Sequence, residues 1–410
     1  MLSDRTIEIV KRTAPAVALH AEQITRRFYA LMFNGNPEVQ AYFNQAHQYS
    51  GGQQRALAGA ICAYASNIDD LDTLGPAVEL IAQKHCSLGI RPEHYPIVGK
   101  HLLAAIGDVL AEAATEEVIK AWGEAYDFLA QVFIGREEAI YAEQAKVPGG
   151  WNGYRRFIVD RKVFENEIVS SFYLKPQDDG DLPPFKPGQY ITVNVAHPTT
   201  PTSPRNYSLS DRPGVNHYRI SVKRELSPES GSPAGLISNY LHDHVVPGDI
   251  LEIGPPCGEF TIDPAQLVNR RIVLLSGGIG ITPIMSMFKS LAHHSAKVQV
   301  DFIHAARNSR THALADEVRQ TAAEQPHFRT HFRYDAPHAD DLAMNRCDSV
   351  GLIDGDFLRS WLPNENADFY FCGPKPFMVG VYRALKEWGV DDSRIHFEFF
   401  GPRQDIAAVR

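Results

Sequence analysis

Four short motifs in the second half of the chain bring together residue types that bind phosphate and handle electrons. Arg205-Asn206-Tyr207-Ser208 places a guanidinium, a phenol ring and a hydroxyl within four residues. A guanidinium can grip a diphosphate, an aromatic ring can lie against a flat heterocycle, and a hydroxyl can reach that heterocycle's redox edge. Gly277-Gly278-Ile279-Gly280-Ile281-Thr282-Pro283 follows the apolar run Leu274-Leu275-Ser276. Such a strand-to-helix turn lets backbone amides approach a pyrophosphate at a helix N-terminus. By itself a glycine turn reads equally well as a tight connection. Its company decides the reading: Cys372-Gly373-Pro374 and Phe399-Phe400-Gly401-Pro402 follow in order, and the set points to a flavin reduced by a nicotinamide.

Two further segments support it. Phe185-Lys186-Pro187-Gly188-Gln189-Tyr190 precedes the arginine tetrad, and Ala234-Gly235-Leu236-Ile237-Ser238-Asn239 follows it with a helix start whose amides can also hold phosphate. In order, spacing and strand placement this half resembles the ferredoxin–NADP reductase-like family. That resemblance implies an FAD site using Tyr190, Arg205, Asn206, Tyr207, Ser208, Gly235 and Ser238. It also implies a nucleotide site using Gly277 to Thr282, with Cys372 and Gly373 near the nicotinamide and Phe399, Phe400, Gly401 and Pro402 covering the flavin. Glu398 resembles the family's acidic residue beside the flavin, and a surface carboxylate is the other reading. Arg307, after the second strand of this region, either meets a 2′-phosphate or faces water, so NADH and NADPH both stay open.

The first third poses a different problem. His85 sits four residues after Ile81 and seven after Val78, so its imidazole points along an apolar helix stripe. A single histidine on such a stripe is more often structural than a metal ligand, and it needs corroboration. Tyr29 beside Phe28, Phe43, and Gln53 one turn before Leu57 supply aromatic walls and hydrogen-bond donors, as an oxygen-binding haem pocket requires. Glu137 falls on the stripe of the last long helix, where an unpaired carboxylate is costly. Either it frays outward, or a donor answers it: Tyr95 or the free ring nitrogen of His85.

The elements that must position these residues change character along the chain. Residues 1–146 show helical periodicity, with stripes through Ile24, Phe28 and Met32, through Leu57 and Ile61, through Val98, Leu102 and Ile106, and through Trp122, Phe133 and Ile140. Residues 147–152 form a linker, residues 153–265 alternate as an antiparallel β-barrel, and residues 266–410 alternate strand and helix as a parallel α/β sheet. The fold class is thus multidomain: all-α, then β-barrel, then α/β. The 410 residues, with 44% hydrophobic and 22% charged content, suit a globular protein of about three domains. A net charge of −9 without basic runs argues against a nucleic-acid partner. Five scattered cysteines suit reduced thiols, and without Cys-x-x-Cys spacings an iron–sulfur cluster, a zinc site or covalent haem has no ligands. No signal pattern or apolar run of membrane-spanning length is present, so a cytoplasmic protein is expected.

With both halves in place, the whole chain resembles the flavohaemoglobins, the nitric oxide dioxygenase family. Tyr29, Gln53, Lys84-His85, Tyr95 and Glu137 match that family's haem-pocket residues, and the flavin and nucleotide motifs follow in family order. One departure is Phe399, where relatives often have valine. The resemblance implies haem b bound through His85, with Phe43, Leu57 and Lys84 at the pocket, together with FAD and NADH or NADPH. It implies that NAD(P)H reduces FAD, that FAD reduces the haem iron, and that haem-bound O2 oxidises nitric oxide to nitrate. Tyr29, Gln53, Tyr95 and Glu137 are the catalytic candidates, O2 and NO the small-molecule partners, and a monomer is expected. A reductase for external acceptors and a gas-sensing globin are the alternatives.

Overall fold

The computed structural model describes residues 2–43, 51–197, 204–226, 234–267, 270–294 and 298–401. These residues fall into two compact units, one built on the chain up to Tyr154 and the other on the chain from Arg155 onward.

The first unit is helical: α1 (Asp4–Leu19), α2 (Ala21–Gly35), α3 (Gly52–Ser66), α4 (Gly75–Leu88), α5 (His94–Leu110) and α6 (Glu116–Lys146). Polar side chains start the first and last of these. Ser3 accepts from the Thr6 amide at 3.1 Å, and Thr115 accepts from the Val118 amide at 3.4 Å. Glu116 and Glu117 in the first turn of α6 and Lys146 in its last turn complement the helix dipole. The apolar stripes converge in one core through Ile24, Phe28 and Met32 of α2, Leu102 and Ile106 of α5, and Val118 and Trp122 of α6. Each such side chain contributes about 1.5–3 kcal/mol on burial. A second, smaller core joins Ala82 and Cys86 of α4, Tyr95 of α5, and Phe133 and Ile140 of α6.

The second unit holds both remaining sheets. β1 (Arg155–Asn166), β2 (Val169–Pro176), β3 (Tyr190–Asn194), β4 (Arg205–Ser208), β5 (Tyr218–Lys223) and β6 (Ile250–Ile253) form a sheet in the order β4-β3-β6-β1-β2-β5. Just past β4, Leu209 pairs antiparallel with Ile220 of β5, and the Ser210 amide donates to the Arg219 carbonyl at 2.8 Å. The first and last strands therefore meet, and the sheet closes as a barrel. The helix α7 (Leu236–His244) follows β5.

The parallel sheet runs β10-β9-β8-β7-β11-β12. Its strands are β7 (Arg271–Gly277), β8 (Gln299–Ala306), β9 (Phe328–Tyr334), β10 (Ser349–Val350), β11 (Asp368–Cys372) and β12 (Ile395–Glu398). The helices are α8 (Ile281–His293), α9 (Ala315–Ala323), α10 (Ala339–Ala343), α11 (Gly355–Trp361) and α12 (Lys375–Glu387). Alternation along β7 explains why it reads as an unbroken apolar run. Ile272 and Leu274 face the core of α8 and α9, while Val273 and Leu275 face that of α11 and α12. The last strand stops at Glu398, so Phe399 and Phe400 lie beyond the ladder. No helix among the described residues is long and apolar enough to cross a membrane.

His304 of β8 and His312 of the loop that follows it are both buried. His304 and His312 stack with ring centroids 4.2 Å apart. The Ser276 hydroxyl meets His304 Nδ1 at 2.7 Å, and the Tyr334 hydroxyl meets His312 Nδ1 at 2.9 Å. Burial pushes His304 down to about 3 and holds His312 well below the ordinary histidine range. The unfolded chain takes up these protons near the ordinary value of about 6.5. Stability contributed by the neutral pair is therefore whole above that pH and is lost as pH falls from there toward 3. Urea midpoints measured across this range should fall with acidification, and less steeply in His312→Gln, which still offers Tyr334 a partner but takes no proton.

Candidate functional site

The helical site is built around the last turn of α4. Gly89, at φ +75°, adopts the left-handed conformation that glycine favours and ends the helix one turn after His85. Its amide donates to the Cys86 carbonyl at 3.1 Å, and the Ile90 amide donates to the His85 carbonyl at 3.0 Å. Both ends of α4 are then tied to α6: Glu79 near its start forms a two-pronged ion pair with Arg136, and the Tyr141 hydroxyl donates to the Ile90 carbonyl just past its end at 2.8 Å. Tyr126 donates to the Tyr95 carbonyl at 2.6 Å and fixes the start of α5 in the same way.

These braces converge on Glu137, which is 2% exposed. Of the two readings the sequence leaves open, the inward one holds, and both candidate donors answer the carboxylate. Glu137 Oε1 lies 2.7 Å from His85 Nδ1 and accepts the Tyr95 hydroxyl at 2.6 Å. Tyr95 Oη also lies 3.1 Å from His85 Nδ1. Burial, then the Glu137 hydrogen bond, raises the Tyr95 phenol far above its ordinary value, so it stays a donor. Because a carboxylate only accepts, the proton of the imidazole sits on Nδ1, leaving Nε2 as the lone-pair atom.

His85 Nε2 has no hydrogen-bond partner among the described residues. Its ring packs beside Phe133, with centroids 5.7 Å apart, and the core that holds Phe133 and Tyr95 is bordered by the half-buried Val78, Ile81 and Ile90, while Phe43, Leu57, Ile61 and Val98 border the other helical core. A free imidazole nitrogen amid half-buried apolar side chains fits an iron porphyrin, whose flat apolar faces need such walls. Tyr29, 5% exposed, packs against Phe28, Phe33 and Phe43 with centroids 4.8, 5.6 and 5.5 Å away. Gln53 is the second residue of α3 and half-buried, outside this aromatic cluster. Lys84 is exposed beside His85. Among the described residues no group of three or more His, Cys, Asp or Glu side chains forms a metal cluster.

In the second unit the barrel motifs lie along β4, at the start of β3 and at the start of α7. Ser208 is buried at the end of β4, and Arg205, Asn206 and Tyr207 are half-buried along it, with Asn206 donating to Thr192 Oγ1 at 3.2 Å. Tyr190, 8% exposed, begins β3 and lies flat against Gly258, where a Cβ would stand 2.8 Å from its ring. Gly235 precedes α7, and the Ser238 hydroxyl accepts from the Glu225 amide at 3.2 Å, fastening the helix start to the end of β5. The other end of α7 is capped from a strand: Lys162 Nζ donates to the carbonyls of Leu241, His242 and Val245 at 3.2, 2.6 and 2.9 Å. Sequence reasoning missed this residue, because its partners lie 79 to 83 positions away.

The nucleotide motifs form a row at the carboxyl ends of three adjacent strands. Strand register sets Ser276 opposite Cys372, and Cys372 opposite Glu398. Strand β7 is flanked by β8 on one side and β11 on the other, so the row lies where strand order reverses, the usual ligand crevice of an open α/β sheet. Gly280 shows why its type matters: a Cβ there would stand 2.2 Å from the Cys372 carbonyl oxygen. Gly278, at φ +51°, faces open space, and its neighbourhood can admit a pyrophosphate. Cys372 is fully buried, and burial, then Glu398, pushes its thiol well above the ordinary range. Phe399 packs edge-on to Phe397 at 5.8 Å, while Phe400 is 47% exposed and Gly401 follows at φ +148°. Pro402 lies outside the described residues.

A half-buried imidazole held by a buried carboxylate in a helical unit, followed by a flavin-type barrel and a dinucleotide sheet, defines a globin joined to a nicotinamide-dependent flavin reductase. Residues 26–133 match the globin family, and residues 274–383 match the oxidoreductase NAD-binding domain family. The Flavohemoprotein of Rhodopirellula baltica is 60% identical over 409 residues, covering 100% of both chains. That of Halalkalibacterium halodurans is 48% identical, covering 99% of this chain and 98% of the relative. The crystal structure of flavohemoglobin from Malassezia yamatoensis, with bound FAD and haem, superposes with a TM-score of 0.84 at 29% identity, covering 98% and 100% of the two chains. The chain belongs to the flavohemoprotein family.

The contact between the glycine turn and β11 yields a direct test. Gly280→Ala forces the turn off the Cys372 carbonyl, at a cost of about 1–3 kcal/mol as for other overpacked sites. The thermal midpoint should drop and the NADH concentration for half-saturation should rise, both measured on the full chain.

Proposed function

We propose that this oxidoreductase is an NAD(P)H-dependent nitric oxide dioxygenase, converting nitric oxide and O2 to nitrate. The observation that carries the reading is the His85–Glu137–Tyr95 cluster. Bound haem and FAD would supply the oxygen chemistry and the conversion of a hydride into single electrons. The residues of the chain then have separable tasks.

His85 Nε2 would hold the haem iron, and Glu137 holds the proton at Nδ1. A carboxylate drawing on that N–H makes Nε2 more electron-donating, a property that favours oxygen activation over reversible carriage. Tyr95 supplies the second hydrogen bond to Glu137 and restrains the carboxylate so that the imidazole plane is held. Tyr29, buried among aromatic rings, is the phenol that would donate a hydrogen bond to O2, with Gln53 as its companion. Phe43 and Leu57 exclude water from that side.

In the second unit Arg205 is assigned to the flavin diphosphate, Tyr207 to its ring and Ser208 to its redox edge. Gly235 and Ser238 at the start of α7 would assist with phosphate. The turn Gly277–Thr282 would take the nucleotide pyrophosphate, with Cys372, Gly373 and Glu398 beside the nicotinamide. Free thiols at all five cysteines suit the reducing cytoplasm assigned to the protein.

Replacement of His85 by Ala should abolish both haem uptake and NADH-driven nitric oxide consumption, followed by absorbance and a nitric oxide electrode. Retention of both activities would sink the proposal. Tyr29→Phe should speed oxygen release by about ten- to a hundredfold, the worth of one hydrogen bond to a charged acceptor. An unchanged off-rate measured by flow-flash would remove Tyr29 from its assigned role.

A further inference from the structure

Arg219, in β5, is 2% exposed and stands at the seam where the barrel closes. An arginine is rarely sealed away unless it is paired. Its Nε donates to Ser210 Oγ at 3.1 Å, its Nη2 to the Ser210 carbonyl, and its Nη1 to Glu317 Oε2 of α9 at 2.7 Å. Glu317 Oε1 takes a second cation, Lys289 of α8, at 2.5 Å. Lys289 also meets Asp211 Oδ1 at 2.6 Å, and Asp211 Oδ2 lies 4.0 Å from Arg219 Nε and 3.4 Å from His217 Nε2. Two cations and two carboxylates thus alternate round a ring. Arg219 and Asp211 come from the barrel, and Lys289 and Glu317 from the helices of the parallel sheet.

What the ring connects gives it meaning. Ser210 and Asp211 continue directly from Ser208, the last residue of the arginine–tyrosine–serine strand β4. Lys289 stands on α8, which begins where the glycine turn ends, and Ser286 of the same helix donates to the Asp211 carbonyl at 2.7 Å. Gly188 reinforces the join from the barrel side, since a Cβ there would stand 2.6 Å from Met287 Cε of α8. The strand assigned to the flavin and the helix that follows the dinucleotide turn are therefore bolted together at one place.

Burial alone would push the Asp211 carboxyl upward, but the His217 contact and the Arg219 and Lys289 cations hold it well below the usual range. For Arg219, the Glu317 and Asp211 carboxylates outweigh the effect of burial and raise the guanidinium further. Such a ring adds little stability over apolar packing, yet it heavily penalises any other docking, because each displaced charge would be buried without a partner. Its natural use is registration.

We propose that the Asp211–Arg219–Lys289–Glu317 clasp sets the approach of nicotinamide to flavin, making these four residues positioning residues for hydride transfer. In that step the hydride leaves nicotinamide C4 with both electrons of its C–H bond and joins flavin N5, giving NAD(P)+ and the reduced flavin anion. None of the four side chains takes part in the bond changes. The inference rests on the reductase half of the function proposed above and not on nitric oxide.

The test uses the full holoenzyme with Glu317→Gln, which keeps the shape and removes the charge. Under anaerobic stopped flow with NADH, the limiting rate of flavin reduction should fall by about tenfold or more, as for small misplacements of reacting groups. FAD content should be retained, and the long-wavelength charge-transfer absorbance formed on adding NAD+ to the reduced protein should weaken. Lys289→Met should behave likewise, and Lys289→Arg should recover most of the rate. Ser286→Ala, which deletes one hydroxyl, should show a smaller loss in the same direction. Variants that lose thermal stability but keep the wild-type reduction rate and charge-transfer band would overturn the clasp alone. A wild-type chain that NADH does not reduce would overturn the function proposed above along with it.

Discussion

A carboxylate set into the apolar stripe of a long helix has to be answered by donors, and Glu137 is answered by two. That requirement organises the helical unit. It draws the last turn of α4 and the start of α5 toward α6, and it orients the His85 imidazole with Nε2 left free. The braces around it, Glu79 with Arg136 and Tyr141 with the Ile90 carbonyl, share the strain of holding a polar group in an apolar place. Removing either donor would leave a buried charge short of partners, which is more costly than the loss of one ordinary hydrogen bond.

In the reductase unit the equivalent constraint is backbone proximity. The glycine turn, Cys372 and Glu398 occupy one row because three parallel strands end in register, and the turn can lie against β11 only because Gly280 carries no side chain. The sheet supplies rigidity, and the loops at its carboxyl ends supply the chemistry. The barrel presents its own motif from a strand whose continuation is gripped by charges from the neighbouring helices, so each cofactor surface is held by an element with little freedom of its own.

Much of this was legible in the sequence wherever the signal was local. Helical spacing put His85 and Glu137 on inward stripes, and the glycine, arginine and cysteine motifs announced strand ends in the right order. Through-space partners were not legible. Arg219 sits in Tyr218-Arg219-Ile220-Ser221-Val222, where alternation would turn a charged residue toward water, yet the whole strand is enclosed and its carboxylate partner is 98 residues away. The histidine pair of β8 and its following loop gave no pattern at all, since stacking depends on where a loop folds back. The helical reading of residues 1–146 covered α1 but assigned it no stripe, and its Ile9, Val10 and Val17 lie buried in the core shared with α6. The outward reading of Glu137 stayed open for the same reason: periodicity gives direction, and only the neighbours decide whether a carboxylate can remain there.

The closure of the barrel through Leu209 and Ile220 also bears on how the protein behaves in a crowded solution. An open antiparallel sheet offers a row of unsatisfied amides and carbonyls on which another chain can add a strand, and a sealed barrel offers none. The parallel sheet cannot close, but one of its borders, β10, is only two residues long. A template that short gives an incoming strand almost nothing to pair with, so the reductase unit carries its own protection against edge-to-edge aggregation.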